Sequence, residues 1–174
     1  MNTGLNNEEL DRYSRLLNLP NWNQETQLAL RNQSVAIESI LDETIRYLGA
    51  SGIGQIEIFG DCAEQAECEI RRLNPNVAVT RLDRDSRFFS KTLIYKKGAE
   101  PASLTEVDCA IAVDLEQATL EIQSQQRLEK HALKSSEKTL IIPEAIMCAA
   151  AILTVNYLAF NLRGFDTKSL SHSS

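Results

Sequence analysis

The side chains best suited to chemistry in this 174-residue sequence are carboxylates near the ends of segments of strand type. Glu38 ends the first of these segments, and Asp42 lies in the turn that follows it. Asp61 follows the second segment, and Asp114 follows a later one. Carboxylates at strand ends can bind Mg²⁺, but they also cap helices or face solvent. We favour the capping or solvated role for the carboxylates around Asp114.

The cysteines and histidines show no spacing that is typical of a metal site or a redox pair. Cys62 and Cys68 are six residues apart, and no CxxC pair occurs. His131 has no second histidine nearby, because His172 lies close to the end of the sequence. We therefore expect no metal site and four reduced, mostly buried thiols in a cytoplasmic protein.

Charge and hydropathy exclude several classes of protein. Lys and Arg number 18 against 24 Asp and Glu, so the net charge of −6 disfavours nucleic acid as a partner. The first residues are polar and acidic, which is unlike a secretory signal. The most apolar run, residues 145–162, is interrupted by Asn156 and Asn161, so we expect a buried helix and no membrane span.

Segments of strand type alternate with segments of helix type along most of the chain. The predicted strands are Ser34–Glu38, Gln55–Phe59, Asn76–Leu82, a short one within Lys91–Lys97, Val107–Val113 and Lys138–Ile142. The predicted helices are Glu8–Leu17, Gln24–Arg31, Leu41–Leu48, Ala63–Leu73, Leu115–Leu133 and Ala145–Leu162. Such alternation is typical of right-handed βαβ crossovers and a mostly parallel sheet.

We therefore predict an α/β protein of Rossmann type, with a mostly parallel sheet and helices on both faces. A short helical N-terminal arm (1–33) precedes the Rossmann-like domain (34–166), and a flexible tail (167–174) follows it. Polar and apolar residues alternate in Gln55–Phe59, which predicts a strand with one solvated face or a strand at a sheet edge.

The turn after the first strand is poorly suited to a phosphate. In Rossmann folds this turn usually holds glycines, which let the backbone and a helix N-terminus approach the ligand. Here it spans Glu38–Glu43, which includes Ser39 and Asp42, three carboxylates and no glycine. A pyrophosphate would meet side chains and like charge. The later glycines, Gly49, Gly52 and Gly54, follow the predicted helix and are expected to turn the chain into the second strand.

Three stretches of the sequence nevertheless resemble one family. They are EELDRYSR (8–15), YLGASGIGQIEIFGD (47–61) and EIRRLNPNVAV (69–79). Together they are similar to the ThiF/MoeB/HesA adenylyltransferases, the superfamily of the ubiquitin-activating enzymes. The resemblance implies a Rossmann-like fold, a dimer and an ATP–Mg²⁺ site.

The sequence departs from this family at the positions that would carry the chemistry. The family's glycine-rich ATP loop is longer than the Glu38–Glu43 turn, and Gly60 stands where a ribose-binding acid is expected, with Asp61 one position late. Asp114 is one position away from the family's metal-binding Asp. The catalytic cysteine and the zinc-binding CxxC pairs have no counterpart. We therefore expect no catalytic residues and no resident cofactor.

Arg15 and Arg12 are the exceptions. In the family, the second arginine of the RYxR helix reaches across the dimer to the partner's ATP phosphates, and the resemblance implies this role for Arg15, with Arg12 as a further candidate. The alternative is a solvated helix arginine that pairs with Glu8 or Asp11 at helical spacing.

The C-terminal helix predicts a partner. It is apolar nearly all round, and a sheet covers only one side of such a helix. The resemblance implies that its other side packs at a two-fold interface. The candidate interface residues are Ile152, Val155, Leu158 and Ala159.

These observations lead to one hypothesis and two alternatives. The leading hypothesis is a catalytically inactive ThiF/MoeB-like pseudoenzyme that acts as a structural or regulatory dimer subunit, with itself or with an intact homologous adenylyltransferase. That active partner would activate a ubiquitin-like protein or a peptide C-terminus. The alternatives are a homodimer that binds a nucleotide or small metabolite, and an adenylyltransferase with a rebuilt ATP site.

Overall fold

Seven strands form one sheet in the computed structural model, which describes residues 4–39, 41–83, 86–98, 107–116, 119–124, 127–129 and 143–160. The strands are β1 (Ser34–Glu38), β2 (Gln55–Phe59), β3 (Ala78–Leu82), β4 (Thr92–Lys96), β5 (Cys109–Asp114), β6 (Thr119–Ser124) and β7 (Arg127–Glu129). Their order is β3-β2-β1-β4-β5-β6-β7, and the first five are parallel. The predicted α/β class and mostly parallel Rossmann-like sheet are confirmed.

Six helices accompany these strands in the described part of the chain. They are α1 (Asn7–Arg12), α2 (Ser14–Leu17), α3 (Gln24–Arg31), α4 (Asp42–Ser51), α5 (Ala63–Leu73) and α6 (Pro143–Phe160). The predicted helix Glu8–Leu17 is thus divided at Tyr13. Asn6 caps α1, since its side chain accepts the Glu9 N–H while the Glu9 carboxylate accepts the Asn6 N–H.

One face of the sheet carries the main core. Alternate residues of β1, β2 and β5 point to this face, as strand geometry requires, and pack against α3, α4, α5 and α6 in a single cluster. Leu30, Ile45 and Ile70 are among its fully buried side chains. The predicted N-terminal arm therefore contributes to the same core as the sheet.

The second face is covered differently from the prediction. Its cluster contains Ala36, Leu93 and Ala110 from the strands, together with Phe88 and Val107 from connecting segments. In the described residues all four core helices lie on the first face. A right-handed crossover from β3 back to β4 passes over the second face, and the charged segment that makes this crossover has no helical apolar periodicity.

The predicted helix Leu115–Leu133 is wrong where the structure describes it. Residues 119–124 form β6, which pairs antiparallel with β5, and residues 127–129 form β7. Its glutamate, glutamine and leucine residues favour a helix, but Leu120 and Ile122 also alternate with polar residues. Pairing with β5 buries Leu120 and decides between the two patterns. The predicted strand Lys138–Ile142 and the tail from residue 167 lie outside the described residues.

The predicted solvated face or edge position of β2 is also wrong. β2 lies between β1 and β3, and Glu57 at its centre is fully buried. The polar residue in the alternation therefore faces protein. No helix in the described part of the chain is long and apolar enough to cross a membrane.

Candidate functional site

The crevice of interest lies at the carboxyl ends of the parallel strands, where folds of this type bind ligands. Ser39 directly follows β1 and is buried. Its N–H donates to the Phe59 carbonyl at 2.8 Å, and its Oγ accepts the Cys62 N–H at 3.1 Å. One serine thus joins the end of β1 to the segment after β2.

Glu38 makes a similar connection at the same edge of the sheet. Its carboxylate is buried and accepts the Lys96 N–H at 2.7 Å, which joins β1 to the end of β4. Leu41 follows with a fully buried side chain. The predicted nucleotide-site positions Glu38 and Ser39 are therefore engaged with the protein's own backbone.

The N-terminus of α4 carries negative charge. The helix begins at Asp42 without a side-chain cap, and its first turn holds Asp42 and Glu43. Asp42 is exposed, and Glu43 pairs with Arg46 at 3.0 Å. These carboxylates complement the helix dipole themselves, so an anionic ligand would meet like charge there.

Gly60 and Asp61 line a cavity of about 400 Å³. Gly60 has a φ of 102°, and a Cβ at this position would lie 2.7 Å from Ser39 Oγ, so the close approach to Ser39 requires glycine. Asp61 is exposed. The rest of the lining is mostly polar and charged: Ala63, Glu64, Arg81, Leu82, Asp83 and Ser86. Arg81 is held by Glu67 at 3.1 Å.

Asp114 lies in a separate, smaller cavity of about 220 Å³ at the ends of β4 and β5. Lys97 Nζ lies 3.5 Å from Asp114 Oδ2 and 2.8 Å from Glu121 Oε1. The hydrogen bond from Lys97 to Glu121 and the nearby Asp114 carboxylate raise the pKa of Lys97. Asp114 also accepts the Glu116 N–H at 3.1 Å, within the turn that follows β5. The helix that it was expected to cap is not formed in the described residues, where β6 follows instead.

The two arginines of the N-terminal helices have different environments. Arg12 Nη1 donates to Asn74 Oδ1 at 2.6 Å, and Nη2 donates to Glu8 Oε1 at 2.7 Å. Arg15 is exposed, and within the described residues it pairs with neither Glu8 nor Asp11. Arg12 is thus hydrogen-bonded to side chains of its own chain, whereas Arg15 faces solvent.

The glycines of the YLxxxGxG stretch shape the backbone. Gly52 has a φ of 86° after α4, and a Cβ there would lie 2.7 Å from the Tyr13 ring. A Cβ on Gly54 would overlap the Arg31 carbonyl. Both positions therefore require glycine for the fold, which agrees with the turn role predicted for them. The prediction is wrong for Gly49, which lies inside α4 and is buried there.

The predicted interface residues of α6 divide into two groups. Ile152 is 53% exposed, whereas Val155 is buried in the chain's own core. Val155 therefore cannot also lie on an open interface, which corrects that part of the prediction. Leu158 and Ala159 are partly buried against the same core. The periodicity of an apolar helix does not reveal which apolar side faces its own sheet.

Tyr47 of α4 extends the exposed apolar surface around Ile152. It is 49% exposed on α4 and is hydrogen-bonded to Cys148, which lies one turn before Ile152 on α6. We call Tyr47, Cys148 and Ile152 the α6 stripe. The hydrogen bond with Cys148 raises the pKa of Tyr47.

The thiols are less buried than predicted. Cys62 and Cys68 are exposed, Cys148 is half-buried, and Cys109 is buried in β5. Burial raises the pKa of Cys109 to about 11. No cluster of His, Cys, Asp and Glu in the described part of the chain is arranged to hold a metal ion.

Comparison by structure finds proteins that resemble this chain, whereas comparison by sequence finds none. No family model matches, and no curated protein matches. The crystal structure of PaaA superposes with a TM-score of 0.67 and 16% identity, over 95% of this chain and 70% of PaaA. This chain and PaaA thus share a fold. The microcin C7 biosynthetic enzyme MccB in complex with N-formylated MccA superposes with a TM-score of 0.54 and 12% identity, over 78% of this chain and 60% of MccB.

E. coli MccB with AMPCPP and MccA gives a TM-score of 0.52 and 11% identity, over 78% of this chain and 58% of that chain. This chain therefore spans about three fifths of the MccB structures that it matches. At these identities the likeness concerns the fold. The resemblance inferred from the sequence motifs is confirmed at that level.

Proposed function

We propose that this chain is a non-catalytic ThiF/MoeB-like subunit that supports an active adenylyltransferase through dimerisation. The observation that supports this proposal is the end of β1, where side chains occupy the place of a phosphate-binding loop. Ser39 and Glu38 fill the strand ends with side chains that accept the backbone N–H groups of Cys62 and Lys96. In nucleotide-binding Rossmann folds, backbone amides in this region face the phosphates instead.

The proposed partner is a homologous adenylyltransferase that activates a ubiquitin-like protein or a peptide C-terminus. The structural neighbour MccB has been crystallised with AMPCPP and MccA, so another protein of this fold holds both molecules. The α6 stripe supplies an exposed apolar surface for the contact. Arg15, exposed on α2, is the candidate to reach the partner's nucleotide.

Titration with ATP–Mg²⁺ in a calorimeter tests the closed site. We expect no saturable binding at millimolar ATP, for the wild type and for Asp61→Ala alike. Binding with a micromolar Kd that Asp61→Ala abolishes would instead support the second candidate, a rebuilt nucleotide site. The cavity beside Gly60 and Asp61 is the observation that favours that candidate.

Co-expression with an intact homologue tests the dimer. Light scattering on the purified complex should give a heterodimer, and Ile152→Glu should dissociate it. Leu19→Glu is the matched control, because Leu19 is exposed to the same degree (50%) but lies outside the α6 stripe. A stable homodimer that does not bind the homologue would argue against the subunit role.

A further inference from the structure

β3 is the last strand at one end of the sheet, and in the described part of the chain it pairs only with β2. The Ala78 N–H donates to the Gly54 carbonyl at 2.9 Å, and successive residues of a strand bond to opposite sides. The N–H and C=O groups of Val79 and Arg81 therefore point away from β2. No backbone hydrogen bond joins them to another described segment. We call these groups the β3 edge.

The β3 edge lacks the features that keep most sheet edges from pairing. Such edges usually carry proline, lysine or an inward-facing charge, or another segment covers them. Residues 78–82 contain no proline, lysine or glycine, and Thr80 at their centre is exposed. The single charge, Arg81, is held toward α5, since its Nε lies 3.1 Å from Glu67 Oε2. The strand can therefore accept another extended chain beside it.

We propose that the β3 edge pairs with the β3 edge of a second copy of this chain, antiparallel and across a two-fold axis at Thr80. In this register Val79 lies opposite Arg81 of the second copy, and the axis generates the same pair again. Each of these pairs exchanges two backbone hydrogen bonds. The two sheets would thus join into one continuous sheet.

The side chains of β3 complement each other in this register. Val79 packs on the core of the first face, and Arg81 points to the same face. The aliphatic stem of Arg81 would therefore lie along Val79 of the second copy. On the second face Thr80 would meet Thr80 of the second copy, which is a favourable cross-strand pair, and Ala78 would lie opposite Leu82. No like charges oppose each other along the strand.

Other antiparallel registers are less favourable. A shift of two residues in one direction would place Arg81 opposite Arg81 of the second copy, where like charges repel. The same shift in the other direction would pair only residues 78–80 of the strand. A shift of one residue would set the outward groups of one copy against residues that already bond to β2. The axis at Thr80 therefore pairs the whole strand without a like-charge contact.

The contact is small, and its size sets the expected affinity. One five-residue strand from each copy buries less than the roughly 800 Å² per partner of a stable complex, so we expect a Kd of about 0.1–1 mM. Each copy carries a net charge of −6, which opposes association at long range. Salt screens this repulsion. Association should therefore strengthen with added salt, because the contact itself pairs no charges.

The proposal does not depend on the subunit role. α6 packs on β5 and β6, which are separated from β3 by β2, β1 and β4. The β3 edge and the α6 stripe are therefore distinct surfaces. At low micromolar concentrations, where a heterodimer through α6 is measured, the weak contact through β3 is dissociated.

Sedimentation velocity of the full chain over a concentration range up to about 1 mM, the weak end of the expected Kd, tests the proposal. The wild type should associate reversibly. Thr80→Lys and Thr80→Glu should each weaken association about fivefold, since two like charges would meet at the axis. An equimolar mixture of the two variants should restore association, because opposite charges then face each other.

Two substitutions of Arg81 form a matched pair. Both Arg81→Pro and Arg81→Ala remove the ion pair with Glu67, but only proline removes the outward N–H. Proline is tolerated at an edge position whose N–H faces solvent. Arg81→Pro should abolish association, whereas Arg81→Ala should retain it. Circular dichroism checks that both variants fold.

Several results would overturn the proposal. They are a wild type that stays monomeric throughout the range, or equal association of Arg81→Pro and Arg81→Ala. A mixture of Thr80→Lys and Thr80→Glu that stays monomeric would exclude the two-fold register. Association that Ile152→Glu abolishes and Arg81→Pro leaves intact would place the contact on the α6 stripe instead. Should Arg81→Pro not fold, the charge exchange at Thr80 alone decides.

Discussion

Replacing Arg12 and Arg15 separately by alanine distinguishes a structural arginine from a functional one. Arg12 donates to Asn74 at 2.6 Å and to Glu8 at 2.7 Å, whereas Arg15 is exposed on the next helix. The two substitutions remove the same side chain from neighbouring helices. We expect Arg12→Ala to lower the free energy of unfolding and Arg15→Ala to leave it nearly unchanged.

The magnitude follows from the partners of Arg12. A hydrogen bond between a charged donor and a buried acceptor contributes about 1.5–3 kcal/mol, and Asn74 is fully buried. The pair with Glu8 adds little, because the Glu8 side chain is 74% exposed and the pair is screened by solvent. Arg12→Ala should therefore cost about 2 kcal/mol, or roughly 4–8 °C in Tm for a chain of this size. Arg15→Ala should stay within about 0.5 kcal/mol.

Urea unfolding followed by circular dichroism measures both values, with the slope m as the check that only stability has changed. Asn74→Ala and the Arg12→Ala, Asn74→Ala double variant complete a cycle. The single effects should sum to more than the double effect, because each removes the same hydrogen bond. Equal midpoints for Arg12→Ala and the wild type, or strict additivity, would refute the structural role. A loss of activity in an active partner on Arg15→Ala, at unchanged stability, would support the role in trans.

Further substitutions, a pH dependence and a labelling experiment test the packing of the fold. Gly54→Ala should lower the free energy of unfolding by about 3 kcal/mol or more, measured by urea, because its Cβ would overlap the Arg31 carbonyl. Thr44→Val should cost about 1–2 kcal/mol, and Thr44→Ser less, since the buried Thr44 hydroxyl donates to a carbonyl of α6 at 2.9 Å. Burial raises the pKa of Cys109 from 9.0 to about 11. Below pH 9 the thiol is protonated in both folded and unfolded chains, so stability should fall only as the pH rises from about 9 to 11. Ellman's reagent at pH 8 should label Cys62 well before Cys109.

The parts of the fold that the sequence predicts best are those with local signals. Asn6 precedes a capping glutamate at the correct spacing, and Gly52 stands where a helix must end in a left-handed conformation. The first two strands were predicted with the bounds that the structure has. In each case one short segment contains the information.

The errors arise where a distant segment decides the outcome. Glu57 looks like a solvent-facing strand residue until the segment before β4 supplies two N–H donors to its carboxylate. The only signal that could have found it is a lone charge in an otherwise apolar strand. Residues 119–124 carry both helical and strand patterns, and β5 selects the strand. Val155 fits an interface as well as a core until the sheet beneath it is known.

The motifs that resemble the ThiF/MoeB family meet at one structural joint. Tyr13 packs against Gly52, and its hydroxyl accepts from Asn74 Nδ2 at 2.9 Å. Asn74 also accepts from Arg12, so the RY pair and the LNP segment are held together by one buried amide.

Stability alone therefore explains why these residues occur together, whether or not a nucleotide binds. The same motifs would be required in an active enzyme and in a subunit that has lost its site. We propose that the strand ends distinguish the two. In this chain the side chains of Ser39 and Glu38 accept backbone N–H groups of Cys62 and Lys96 there. Motif resemblance in this fold thus predicts architecture, while activity has to be judged from the first turn.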